Sequence, residues 1–159
     1  MRLIISERGQ VSRRKGMVVD ERRSANMRAV RGRSTNPELI VRRVAHRLGL
    51  RYRLYQRDLP GRPDLTLPRW KTAIFVNGCF WHQHAGCKKA TIPNTNRHFW
   101  KTKLVRNVER DRETIDRLVL LGWKVLVIWE CETRDPFLVT RILSAHFFGS
   151  GSSNRSRYF

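Results

Sequence analysis

Two cysteines and two histidines stand close together in the run Cys79-Phe80-Trp81-His82-Gln83-His84-Ala85-Gly86-Cys87. The third cysteine, Cys131, comes just after the apolar run Lys124 to Trp129. Three thiolates and one imidazole form a tetrahedral ligand set for zinc, and a site closed by four protein ligands is structural. An odd number of widely separated cysteines argues against a disulfide framework and for metal-bound thiolates in a reducing cytosol. Spacing leaves open whether His82 or His84 is the fourth ligand. Either way the loop would be tied to the end of a core strand, which offsets a small core.

The carboxylates point to a second, harder cation. Asp64 follows Gly61-Arg62-Pro63 and opens an apolar stretch. A carboxylate at a strand start can hold Mg²⁺ while the strand fixes its position, although Asp also caps turns after Pro and Gly. Asn107 and Asp111 lie one helical turn apart and share a face, which among Glu109, Arg110 and Arg112 reads by itself as a solvated charged surface. Glu38 completes a capping box with Thr35. His82 suits a general base, since an imidazole with an ordinary pKa of about 6.5 accepts a proton from water at neutral pH. Phosphodiester hydrolysis needs an attacking water, a cation on the phosphoryl oxygens and help for the leaving alkoxide. Asp64, a bound cation and His82 supply these if the fold brings them together.

Aromatic residues surround these groups: Phe80 and Trp81 precede His82, and Phe99-Trp100 follow His98. In a basic, Gly-containing loop such rings can wedge between base steps. They can also cover the cysteine cluster as a small core of their own. Phe99 is expected in the core.

The composition names the partner class. The chain has 33 Lys plus Arg against 13 Asp plus Glu, a formal charge of +20. A field of that sign and size attracts a polyanion through counterion release. Charge alone does not separate DNA from RNA, or binding from cutting. No apolar run approaches the roughly 20 residues of a membrane span, and the basic N-terminus lacks the apolar segment of a secretory signal.

These groups must be positioned by one modest domain of 159 residues. Residues 1–19 read as a flexible basic arm, and Ser24 to Val30 as a short helix with Met27 and Val30 on one side. Thr35-Asn36-Pro37-Glu38 starts a helix carrying Leu39, Ile40, Val44 and Leu48, with Gly49 as its stop. Arg51 to Tyr55, Asp64 to Leu67 and Thr72 to Val76 read as strands. Residues 77–96 form a long loop, and a loop of that length in a compact domain is usually functional. His98 to Leu121 reads as one long helix burying Phe99, Leu104, Val108, Ile115, Leu118 and Leu121. Lys124 to Trp129 is a buried strand, and Asp135 to Phe148 a final helix. Residues 20–148 thus form a single α/β domain with a mixed central sheet flanked by helices, and 149–159 a disordered tail.

Several of these segments together resemble one family. The segments GRPDL at 61–65, GCFWH at 78–82, FW at 99–100, NVERD at 107–111 and GWKVLVIWEC at 122–131, with NMRAV at 26–30, are similar to the very-short-patch repair (Vsr) mismatch endonucleases. The resemblance spans roughly residues 20–133. It implies a fold similar to type II restriction endonucleases, with cleavage 5′ to the thymine of a T:G mismatch in double-stranded DNA. It further implies Asp64 as the Mg²⁺ ligand with the Val76 carbonyl beside it, and His82 as the base. Asp111 would orient His82, with Asn107 and Glu38 in support. Zn²⁺ would sit on Cys79, His84, Cys87 and Cys131. Phe80, Trp81 and Trp100 would intercalate, and Met27 would reach DNA from the other groove. The expected setting is a monomer at the bacterial nucleoid, in the cytoplasm, alongside DNA-repair proteins. Restriction-type sites usually place an acid and a lysine on the strand after the first Asp, whereas Phe75-Val76-Asn77 offers neither.

Two other readings compete. A related endonuclease of a restriction or mobile-element system would share Asp64 and His82 but cut matched duplex as readily. A non-catalytic zinc-containing nucleic-acid-binding module would show no Mg²⁺-dependent cleavage and no response to Asp64→Ala.

Overall fold

The computed structural model of the protein describes residues 33–149. The basic arm, the helix expected around Met27 and all of the tail beyond Gly149 lie outside these residues. Helix α1, Asn36–Arg47, starts as its sequence dictates: the Thr35 side chain takes the Glu38 N–H and the Glu38 side chain reaches back to the cap. Gly49 then turns the chain with φ of 76°.

Strands β1 (Leu65–Leu67) and β2 (Thr72–Asn77) are antiparallel, with Leu65 opposite Ile74. Strand β3, Lys124–Trp129, lies parallel to β2, with Val76 opposite Ile128. The sheet order is β1-β2-β3, a mixed sheet as expected. Helix α2, Arg97–Leu120, connects the two parallel strands, and α3, Pro136–Phe148, closes the domain.

Alternation along the strands divides the core between the two sheet faces. Ile74, Leu126 and Ile128 pack with Val41, Val44 and Ala45 of α1 and with Val139, Ile142 and Leu143 of α3. Ala73, Val125, Val127 and Trp129 face the other way and pack with Ile115 and Leu118 of α2. The result, among the described residues, is a three-layer α/β arrangement with α1 and α3 on one sheet face and α2 on the other.

Two expectations need correction. Arg51 to Tyr55 is not a strand: Arg53 exchanges both backbone bonds with Thr66 at 2.8 Å, as a single bridge. The left-handed φ of 51° at Tyr55 ends extension there and sends its hydroxyl toward Glu38 and Arg42. Phe99 is not core but 56% exposed, and Leu121 is exposed too. In the first turn of α2 the Phe99 ring meets Trp100 edge to face at 5.4 Å and Lys103 Nζ at 5.8 Å, whereas the α2 residues that pack with the strands are Ile115 and Leu118. Farther along, Leu104, Ile115 and Leu118 are buried as expected.

Candidate active site and metal centre

The approach to β1 places the first carboxylate. Gly61 and Arg62 both take left-handed φ, 70° and 51°. A Cβ on Gly61 would lie 2.3 Å from Thr114 Cγ2, so only glycine fits. Buried Pro63 has no N–H to extend the ladder, and β1 begins one residue after Asp64. The Val76 N–H, two residues beyond the β1–β2 pairing, donates to Asp64 Oδ2 at 2.7 Å. Asp64 and Val76 are therefore brought together at the edge of the sheet. Burial pushes the Asp64 carboxyl up to about 6; the Val76 N–H opposes this, the Glu38 charge adds to it, and Arg42 and His82 pull it back. Glu38 and His82 thus both lie within electrostatic reach of Asp64.

Glu38 is only 4% exposed and does more than cap. Its Oε2 accepts from Arg42 Nη2 at 2.7 Å, from the Tyr55 hydroxyl at 3.1 Å and from the Ser34 N–H at 2.9 Å.

The long loop after β2 carries His82. Its Nδ1 is paired with Asp111 Oδ2, across from the loop on α2. That bond removes Asp111 from the solvated charged face that its neighbours occupy. One turn earlier, Asn107 Nδ2 donates to the Trp81 carbonyl at 3.2 Å, fixing the loop to the same helix. A histidine whose Nδ1 is bound to a carboxylate keeps a fixed ring plane and leaves Nε2 for proton transfer.

The same loop carries three of the four residues of the cysteine cluster. The ligand atoms of Cys79, His84, Cys87 and Cys131 all lie within 4.8 Å of one another. His84 Nδ1 is 3.7 Å from Cys79 Sγ and 3.3 Å from Cys131 Sγ. Zinc–ligand bonds of about 2.0–2.3 Å at tetrahedral angles put ligand atoms roughly 3.5–3.8 Å apart, so the four residues fit such an ion, with His84 rather than His82 as the imidazole. Burial pushes the Cys79 thiol up to about 12 and raises that of Cys131, while the Lys89 backbone N–H lowers that of Cys87. A dication reverses the first two, because coordinated thiols lose their protons outright. The His84 ring stacks on Trp129, 4.2 Å between centroids and 6° from parallel. Lys89 pairs with Glu130 between the segments that carry Cys87 and Cys131.

Phe80, Trp81 and Trp100 form an edge-to-face trio with centroids 5.1–6.1 Å apart. All three are half-buried. Lys103 Nζ lies 5.3 Å from the Trp81 ring and 5.5 Å from that of Trp100. Beside them a groove on α2 is lined by His98, Phe99, Lys103, Arg106, Asn107 and Arg110.

Sequence reasoning missed Arg42, Tyr55, Lys89, Lys103, Trp129 and Glu130. Lys103 had a readable signal, since it follows Phe99 and Trp100 by four and three residues on a helix. Trp129 and Glu130 adjoin Cys131 but otherwise read as strand end. Nothing local linked Tyr55 to Glu38.

A basic α/β domain with a carboxylate at a sheet edge, a loop histidine paired to a helix Asp and a clustered soft-ligand set has the equipment of a DNA-cleaving hydrolase. The family model described as DNA mismatch endonuclease Vsr matches residues 17–89. The chain is 45% identical over 112 residues to the DNA mismatch endonuclease Vsr of Escherichia coli K12, covering 70% of this chain and 71% of that protein. It is 42% identical over 115 residues to the type II nicking enzyme V.XorIIP of Xanthomonas oryzae, covering 72% and 84%. With the type II nicking enzyme V.NmeAIP of Neisseria meningitidis the identity is 40% over 114 residues, covering 72% and 81%. The chain belongs to the Vsr DNA mismatch endonuclease family. It is a DNA endonuclease, and no helix among the described residues is long and apolar enough to cross a membrane.

Proposed function

We propose that this endonuclease hydrolyses the phosphodiester 5′ to the thymine of a T:G mismatch in duplex DNA, leaving a 3′-hydroxyl and a 5′-phosphate. The observation that carries the reading is the pairing of His82 with Asp111 within electrostatic reach of Asp64. Asp64 and the Val76 backbone hold Mg²⁺, which when bound polarises the phosphoryl oxygens. Asp111 accepts from the Nδ1–H of His82 and so leaves Nε2 unprotonated. Nε2 takes the proton of the attacking water as its oxygen bonds to phosphorus. The bond from phosphorus to the 3′-oxygen of the preceding nucleotide breaks, and that oxygen takes a proton from solvent. Asn107 steadies the loop through the Trp81 carbonyl, and Glu38 supports Asp64 through its charge.

Zn²⁺ on Cys79, His84, Cys87 and Cys131 is structural, a role supported by its closed four-ligand set. Phe80, Trp81 and Trp100 enter the stack at the mismatch, where unstacking costs least, and Met27 approaches from the opposite groove. A mixed sheet with the carboxylate at its edge supports kinship with the type II restriction endonuclease fold. Residues 20–148 form the catalytic domain, a monomer working with DNA-repair proteins in the bacterial cytoplasm.

The test is nicking of a labelled T:G duplex and its C:G counterpart, with and without Mg²⁺, by wild type and Asp64→Ala. Mg²⁺-dependent nicking of the T:G strand alone, lost in the variant while binding persists, is expected. Equal cutting of both duplexes would transfer the reading to a nickase with another target. Cutting unaffected by Asp64→Ala would overturn it.

A further inference from the structure

His82 and His84 are separated by one residue yet belong to two different sites. His82 faces Asp111 on α2, while His84 faces Cys79 and Cys131 and stacks on Trp129. The residue between them, Gln83, has φ of 50°. Left-handed backbone is uncommon for a residue with a Cβ, and enriched only for Asn, Asp and His.

The surrounding hydrogen bonds show why the chain turns there. The His82 N–H donates to the Gly78 carbonyl at 3.1 Å, closing one helical turn. The His84 N–H reaches back five residues to the Cys79 carbonyl at 3.0 Å. A left-handed residue followed by such a six-to-one bond is the Schellman ending of a helix, where glycine is usual. Here Gln83 occupies the glycine position. Its side-chain amide donates to the Phe80 carbonyl at 2.7 Å, the oxygen that takes the backbone N–H of the left-handed residue in the full Schellman pattern.

We infer that Gln83 is a positioning residue whose left-handed turn couples the soft-metal cluster to the His82–Asp111 pair. This rests on the proposed roles of His82 and of the four-ligand cluster. Anchoring of His84 by the metal holds the turn, and the turn holds the His82 ring against Asp111. The amide on Phe80 ties the aromatic pair to the same turn. Metal loading and base orientation are then one conformational event. A backbone held in a sparsely populated region by its surroundings is where such coupling is stored.

The full-length protein tests this with Gln83→Val and Gln83→Gly, each loaded with Co²⁺ or Zn²⁺. A β-branched residue resists positive φ, whereas glycine takes it freely. Gln83→Val is expected to lower the single-turnover nicking rate at least tenfold, to leave the duplex Kd within about threefold, and to speed Co²⁺ release seen in the thiolate charge-transfer band. Gln83→Gly is expected to recover most of both losses. The ¹⁵N signals of the His82 ring should leave the Nδ1–H pattern in Gln83→Val and in chelator-treated wild type, but not in Gln83→Gly. Wild-type nicking and Co²⁺ retention in Gln83→Val would overturn the inference, as would a Gly variant no better than Val. If Gln83→Val does not fold, the wild type decides: a His82 spectrum unchanged by chelation in a folded chain refutes the coupling. Wild type that does not nick a T:G duplex would instead defeat the functional reading beneath it.

Discussion

Replacing Asp64 by Asn should make the protein more stable and inactive. The Asp64 carboxyl is pushed from 3.8 to about 6, chiefly by burial. At about 1.4 kcal/mol per pKa unit, ionising it in the folded chain costs about 3 kcal/mol. Partial exposure and screening reduce that to about 1–2 kcal/mol. The sign follows from linkage: the folded pKa is raised, so the contribution is fully favourable below the unfolded pKa of about 4 and is lost as pH rises through about 6. Asn keeps an oxygen for the Val76 N–H, which Asp64 accepts at 2.7 Å, but carries no charge. At pH 8 and without divalent cations, Asp64→Asn should melt about 2–8 °C above wild type, given about 2–4 °C per kcal/mol in a chain of this size. At pH 4 the gap should close. Mg²⁺ should raise the wild-type midpoint and leave the variant unmoved, since only a ligand of the folded state stabilises it. Thermal melts at the two pH values, with and without Mg²⁺, make the measurement. A variant less stable than wild type at pH 8 would show that the carboxylate is not strained by its surroundings, and the argument would fail.

Asp111→Asn should retain duplex affinity while lowering the single-turnover nicking rate about 10²–10⁴-fold, the scale of losing a positioned general base; an unchanged rate would remove His82 from the proton path. Cys131→Ser should weaken Co²⁺ binding at least tenfold by titration and lower the melting midpoint, because a structural metal contributes directly to folding; full metal retention would show that Cys131 is not a ligand. Gly61→Ala should destabilise by about 1–3 kcal/mol in urea unfolding, since its Cβ would fall 2.3 Å from Thr114 Cγ2 at a φ of 70°; a neutral result would mean the turn before Asp64 yields easily.

Much of this protein is written locally. The Thr35–Glu38 capping box, the glycine stop at Gly49, and the apolar runs of β2 and β3 depend on contacts a few residues apart. Backbone sterics and hydrophobic period therefore reveal them. The soft-ligand set was legible for a similar reason: cysteine chemistry is scarce enough that three thiols near two histidines leave few alternatives.

Pairings between distant segments were not legible. Asp111 among Glu109, Arg110 and Arg112 is indistinguishable in one dimension from a solvated helix face. Only the packing of α2 on the sheet brings it to His82, 29 residues earlier. Glu38 looked fully explained by its cap until Tyr55 and Arg42 closed around it. The choice of His84 over His82 for the thiolates turns on the backbone sign at Gln83, and nothing in that side chain announces a positive φ. Sequence determines which groups are present and which elements carry them. Tertiary structure decides which of them meet, because burial and electrostatic coupling depend on distances through space.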